Sequence, residues 1–117
     1  VPGLRLELAL EALRELWRSR REGEAGVAAL ELARRLRVDP LQLEPALEAL
    51  LGLDWLGRLE EAGSQRLVLL CAPEQTPAEP LLHALLAGNS GSLAPLWQRS
   101  EWDRLSLARL LGVQDHQ

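Results

Sequence analysis

The chain contains no phenylalanine, tyrosine, methionine or lysine. Its core must therefore come from leucine, alanine, valine and four tryptophans, and a leucine and alanine interior favours helices. A single cysteine excludes an internal disulfide and permits a reducing compartment. The longest unbroken apolar runs are a few residues, far short of the roughly 18 to 20 needed to cross a bilayer, and the start has neither the charge nor the apolar run of a signal peptide. The segment is thus expected to be soluble, and its Val-Pro-Gly start without methionine reads as a fragment of a larger protein. Excess positive charge is also missing. A formal net charge of −4 argues against a general attraction to polyanions, because non-specific nucleic-acid affinity comes mostly from neutralising phosphates. What is present, 117 residues with 47% apolar content, suffices for one domain spanning 1–117 with one core.

The first part, 1–22, reads as a helix over 4–21, with Leu6, Ala9, Leu10, Leu13, Leu16 and Trp17 at the three- and four-residue spacing of an amphipathic stripe. Pro2 suits a helix start, and the pairs Glu11/Arg14 and Glu15/Arg18 are spaced to support the helix electrostatically. Arg18, Arg20 and Arg21 gather where the helix dipole is negative, and Gly23 and Gly26 stop the helix. The same arginines could form a phosphate or lipid-headgroup patch, but a solvated, dipole-matched helix end explains them more simply.

Residues 27–71 read as two short helices around a turn, followed by a hairpin. The second helix covers 28–36, with Leu30, Leu32, Ala33 and Leu36 available for burial. Val38-Asp39-Pro40 ends it and starts the next, since a residue before proline leaves helical geometry and Asp39 can cap the following amides, with Gln42 completing the spacing of a capping box. Pro45 either kinks the third helix or marks its effective start. Leu43, Ala46, Leu47, Leu50 and Leu51 form its core stripe, with Leu47 expected against Leu13 or Trp17, and Gly52 ends it. Strands are expected over 54–59 and 66–71, joined by the polar link 60–65, with Trp55, Val68 and Leu70 as packing residues. Cys71, with no second cysteine or histidine beside it in the sequence, reads as a structural thiol.

Residues 76–117 form a C-terminal extension. A short helix over 80–87, capped by Thr76 with Glu79, precedes a glycine- and serine-containing stretch at 88–92. Helical spacing resumes over 93–111 with a break near 100–103. Trp97 and Trp102, five positions apart, lie on different faces of a continuous helix and could anchor an interface or pack on the domain. His83 is expected to be half exposed on its helix and His116 to belong to the chain terminus.

This order gives a mainly α fold with a small β hairpin: a winged helix-turn-helix with additional C-terminal helices. In its DNA-reading form the second helix of the motif enters the major groove and needs donors and positive charge. Here that helix, PLQLEPALEALLGL, offers Gln42 alone as a base-reading side chain, carries Glu44 and Glu48, and has no arginine. Gln42, Glu44, Glu48, Trp97 and Trp102 are therefore the candidate partner surface. A DNA-binding role would have to use Arg34, Arg35, Arg37, Arg58 and Arg66 with Gln42.

The run LELARRLRVDPLQLEPALEALLGLDWLGRLEEAGSQRLVLLCAP resembles the C-terminal cytoplasmic domain of the YihY/BrkB family, bacterial inner-membrane proteins formerly labelled ribonuclease BN. The likeness covers about 8–87 and rests on the Gly52-Leu53-Asp54-Trp55-Leu56-Gly57-Arg58-Leu59 start of the wing and the following LLCAP, because regulators share the ELA-x-x-L pattern of the second helix. It implies a cytoplasmic appendage at the inner face of the bacterial inner membrane, with a protein partner or the membrane part of its own parent chain to contact. It brings no catalytic residues, and the chain itself suggests no catalytic, cofactor-binding or metal-ligating set, since a nuclease needs clustered carboxylates or histidines.

Three functional classes follow, in this order. A non-enzymatic regulatory or protein-interaction module accounts for the acidic reading helix and the missing site. A DNA-binding transcription regulator accounts for the topology alone. A tRNA-processing nuclease accounts for none of these residues. Neither nucleic acid nor a cofactor is expected, and a homodimer is compatible with the apolar residues of the first and last helices.

Overall fold

The computed structural model describes residues 2–86 and 105–112. Trp97, Trp102 and His116, and most of the expected 93–111 helix, lie outside the described residues. Helix α1 (Pro2–Arg21) buries Leu8, Ala9, Leu10, Ala12, Leu13 and Leu16, with Leu6 and Trp17 at the margin. Its end is closed by glycine geometry: Gly23 takes φ +89°, and the amide of Glu24 reaches back to the carbonyl of Ser19 at 3.0 Å.

Helix α2 (Ala29–Leu36) follows, and the expectation for Leu30 fails, since it is 70% exposed at the helix start while Leu32 and Ala33 are buried. With eight residues the helix turns only one narrow stripe inward, and Leu30 falls off it. Arg37 closes α2 in the left-handed region, φ 60°. Asp39 then caps helix α3 (Pro40–Gly52), its carboxylate accepting the Leu41 amide at 3.0 Å. Proline stands at the first position of α3 and again at Pro45, where the helix stays continuous. The amide missing at Pro45 is outweighed by burial of Leu43, Ala46, Leu47 and Leu50 on both sides of it, because helices in proteins owe most of their stability to packing.

The hairpin is shifted and tighter than the sequence suggests. Strands β1 (Leu56–Glu61) and β2 (Ser64–Leu69) pair antiparallel from Leu56↔Leu69 to Glu61↔Ser64. They are joined through Ala62 and Gly63 at φ 48° and 79°, the mirror-image turn whose twist suits a hairpin. The expected 60–65 link is thus mostly strand. Polarity misled here because the tip of the wing has no buried face, so Glu60 with Gln65 (2.7 Å) and Glu61 with Arg66 (2.6 Å) pair in solvent. The inward side is also the opposite one: Leu56, Leu67 and Leu69 are buried with Trp55, whereas Val68 is half-buried and Leu70 is 57% exposed. A one-residue third strand, unmarked in the sequence, completes the sheet, as Val27 and Leu67 exchange backbone hydrogen bonds at 2.9 and 2.8 Å. Gly26 makes this possible. It lies at φ +93°, and a β-carbon there would sit 2.8 Å from Val68 Cγ1 and 2.9 Å from the Leu67 carbonyl.

After a single 3-10 turn (Pro73–Gln75), helix α4 (Glu79–Leu85) buries Leu81, Leu82 and Leu85. Thr76 does not cap it, because its hydroxyl is donated to the Ala72 carbonyl at 2.6 Å. Helix α5 (Leu107–Leu111) is capped by Ser106, whose oxygen accepts the Arg109 amide. Backbone bonds from Ala78 to Leu105 and from Leu107 to Thr76 tie it to the α4 entry, and Arg14 of α1 donates Nε to the Leu111 carbonyl at 2.7 Å. The fold is mostly helical with a two-stranded antiparallel hairpin, a winged helix-turn-helix extended by C-terminal helices, and the described helices and hairpin share one apolar core.

Leu47 sits in that core at its outer edge, beside Leu67 of the wing. Leu47→Ala should cost roughly 2 to 5 kcal/mol in urea unfolding, and a change within error would remove it from the core. Gly26→Ala should cost about 2 to 5 kcal/mol, from left-handed strain plus the steric conflict with β2. Gly23→Ala, whose added β-carbon meets nothing within 4 Å, should lose only the strain, about 1 to 2 kcal/mol. Equal losses at the two glycines would show that the close approach to β2 is unimportant.

Candidate functional site

Helix α3 presents Gln42, Glu44 and Glu48 to solvent. Glu44 and Glu48 are four residues apart and so project from one face one turn apart. Neither is in an ion pair among the described residues, and Leu41 at the start of the same helix is 74% exposed. Between α3 and the wing runs a groove of about 220 Å³. Leu47, Leu51 and Leu67 supply its apolar surface, Glu44 and Glu48 stand on the helix side, and Arg58 and Gln65 stand on the wing side. The acidic residues were legible in the sequence. The groove was not, because it depends on the inward face of β2, which was expected at Val68 and Leu70 and lies at Leu67 and Leu69.

Of the arginines that a DNA-binding role would need, most are already occupied. Arg35 is the centre of a cluster: its guanidinium reaches Glu15 at 3.0 Å, Glu24 at 3.0 Å and Glu31 at 2.9 Å, and its side chain is only 22% exposed. Arg34 is bidentate on Glu31, at 2.9 and 2.6 Å. Arg66 is paired with Glu61, and its Nε is buried without a hydrogen-bond partner. Arg37 and Arg58 are exposed and in no ion pair among the described residues. The structure therefore brings Glu44, Glu48, Arg58 and Gln65 of the wing to one groove, leaves Gln42 exposed on another face of α3, and turns Arg35 into a structural cluster.

The electrostatics of that cluster are one-sided. Hydrogen bonds from Arg35, and then from Ser19, hold the Glu24 carboxyl down at about 2, and those from Arg34 and then Arg35 do the same for Glu31, also to about 2. Glu15 is lowered as well, chiefly by the hydrogen bond from Arg18. Ser19, fully buried, donates its hydroxyl to Glu24. This clasp joins the end of α1, the 22–26 loop and α2.

Arg18 and Arg21 at the end of α1 border a wider cleft of about 520 Å³ with Trp17, and Arg20 lies outside it. They are largely engaged: Arg18 with Glu15 and Glu22, and Arg20 with the carbonyls of Leu69 and Cys71, at 2.8 and 3.1 Å. Arg20 and Arg21 also lie over the Trp17 ring. The cluster thus fastens α1 to the end of β2. Cys71 is half-buried, and burial raises its thiol above the usual range, which keeps it protonated and unreactive at neutral pH. His83, on α4, lies 3.2 Å from Glu79. No group of three or more His, Cys, Asp or Glu side chains able to hold a metal occurs among the described residues, and none of the described helices is long and apolar enough to cross a membrane.

No protein-family model matches the chain. It is 51% identical over 110 residues to the UPF0761 membrane protein of Methylibium petroleiphilum, covering 94% of this chain and 26% of that protein. To the UPF0761 membrane protein of Verminephrobacter eiseniae it is 44% identical over 119 residues, covering 96% of this chain and 28% of that protein. The chain thus spans about a quarter of the length of the curated relatives it matches. Among solved structures it is similar to a protein described as a transcriptional regulator from Lactobacillus plantarum, with TM-score 0.70 and 18% identity over 93% of this chain and 88% of that one. It is also similar to IscR of T. potens, with TM-score 0.66 and 17% identity over 92% and 83%. At these identities the likeness is one of fold, and it agrees with the winged helix described above.

Glu24 and Glu31 titrate near 2 when folded and near 4.5 when free, so their contribution to stability is present above about 4.5 and is lost as pH falls toward 2. The melting temperature should fall through that window. Arg35→Gln, which removes the largest cause at Glu24 and the second at Glu31, should lower the melting temperature at pH 7 and flatten its acid dependence. Circular dichroism melts between pH 7 and pH 2 would check this, and an unchanged slope in the variant would dissolve the clasp.

Proposed function

We propose that this chain is a non-enzymatic regulatory or protein-interaction module of a larger bacterial membrane protein of the YihY/BrkB kind, held at the cytoplasmic face of the inner membrane. The observation that carries this reading is the state of the helix-turn-helix face. Its reading helix offers solvent two unpaired carboxylates and an exposed leucine, while Arg34, Arg35 and Arg66 are held by carboxylates of the domain itself. A surface of this kind repels phosphate and lacks the donors that base edges require. The likeness to UPF0761 membrane proteins supports the membrane setting.

A second reading has one observation in its favour: a solved structure similar in fold is described as a transcriptional regulator. Under it Arg37 and Arg58 would hold a phosphate backbone and Gln42 would read a base, with Arg34, Arg35 and Arg66 first released from their carboxylates. Binding built that way is weak and indifferent to sequence, and it is lost as salt rises from about 50 to 200 mM.

An anisotropy titration against random and genomic duplexes separates the two. The expected outcome is no complex at about 150 mM salt and only weak, non-selective binding below it. A submicromolar, sequence-selective complex that survives the salt increase would overturn the interaction-module reading in favour of the regulator.

A further inference from the structure

The α3–wing groove has the dimensions and polarity of a side-chain receptor rather than a ligand pocket. Its volume of about 220 Å³ falls below the roughly 300 to 1,000 Å³ of small-molecule sites, yet exceeds the roughly 150 Å³ that admits a benzene ring. One or two aliphatic side chains would fill it against Leu47, Leu51 and Leu67. The helix side above that apolar surface is acidic. Glu44 and Glu48 are exposed, lie one helical turn apart and are in no ion pair among the described residues, with Arg58 across the groove, whereas Glu31 and Glu61 of the helix-turn-helix region are already paired. On the wing side Gln65 is held by Glu60, and Arg58 is the charged residue lining the groove among the described residues.

Resting on the interaction-module reading, we infer that this groove receives a cationic amphipathic segment, one that inserts an aliphatic anchor beside Leu47 and Leu67 and sets Arg or Lys side chains one turn apart against Glu44 and Glu48. Its source is a basic segment bordering a membrane span of the longer protein. The relatives are membrane proteins of which this chain spans about a quarter, and the cytoplasmic ends of membrane spans are where arginine and lysine accumulate. Charge complementarity then sets both the encounter and the register, while the aliphatic anchor supplies the desolvated contact that holds the segment in place.

The test uses the chain itself and three labelled synthetic peptides of about sixteen residues, long enough to become helical on binding. All carry leucines on one helical stripe. Their other face carries arginine, glutamine or glutamate. By anisotropy at about 50 mM salt the arginine peptide should bind about tenfold more tightly than the glutamate peptide, and the difference should shrink at about 300 mM. Glu44→Gln with Glu48→Gln should weaken the arginine peptide about fivefold, and Glu44→Lys with Glu48→Lys should reverse the preference toward the glutamate peptide. These side chains are exposed and unpaired, so the variants should fold as the parent does, which far-ultraviolet circular dichroism checks. Glu7→Gln with Glu74→Gln alters net charge equally at a remote surface and should leave binding unchanged. Equal affinity for the three peptides, or an equal loss from the remote pair, would overturn the cationic occupant and leave the interaction-module reading in place. Selective duplex binding that excludes the arginine peptide would overturn that reading itself.

Discussion

One guanidinium holds the front of this domain together. Arg35 lies where the end of α1, the loop after it and α2 meet, and it faces a carboxylate from each: Glu15, Glu24 and Glu31. Glu15 and Glu31 keep a second arginine, Arg18 and Arg34, whereas Glu24 has Arg35 as its ion-pair partner among the described residues, so removing Arg35 unties the 22–26 loop first. The loop fixed in this way delivers Gly26 and Val27 to β2, so the third strand and the seating of the wing follow from the same point. A residue that looks from the sequence like an available phosphate ligand is thereby committed to the interior architecture. The helix-turn-helix survives as scaffold, with its principal cation turned away from the surface that would use it.

Leucine dominates the interior, and this explains how readily the helices can be recognised. Leu8 through Leu16, and Leu43 through Leu50, repeat at helical spacing with little competition from other apolar types, so the stripes of α1 and α3 stand out and their burial follows. The caps are equally readable: Asp39 before Pro40, and the glycines after α1. The same uniformity hides the hairpin. Leu67, Val68, Leu69 and Leu70 run without alternation, so nothing local says which pair faces inward, and the answer comes from Val27 pairing with Leu67 some forty positions away in the chain. Leu30 fails for a related reason, since an eight-residue helix has one inward stripe and an unbroken apolar supply from which to fill it.

The candidate face was legible in part. Glu44, Glu48 and Gln42 follow from the register of α3, because the stripe that buries Leu43 and Leu47 must leave them outside. That Arg34, Arg35 and Arg66 are engaged does not follow from spacing alone. Glu31 stands three and four residues before Arg34 and Arg35 and could be anticipated as a local partner, but Glu15 and Glu24 reach Arg35 only through the tertiary fold. Electrostatic character thus changes between sequence and structure: of the three arginines at the end of α2, Arg34 and Arg35 are taken up by carboxylates, and the groove face of α3 offers Glu44 and Glu48 unpaired among the described residues.

The wing carries a further consequence through its outer strand. Val27 covers one position on the far side of β2, while β1 has no strand beyond it among the described residues, so its backbone amides and carbonyls line an open border. Such a border is a template on which a second hairpin could add itself, and in a leucine-rich domain that would begin runaway self-association. Here the strand is only six residues long, ends in Glu60 and Glu61 and includes Arg58, charges that an added strand would have to accommodate along its edge. The short, charged rim of the hairpin therefore works against edge-to-edge association between copies of the domain.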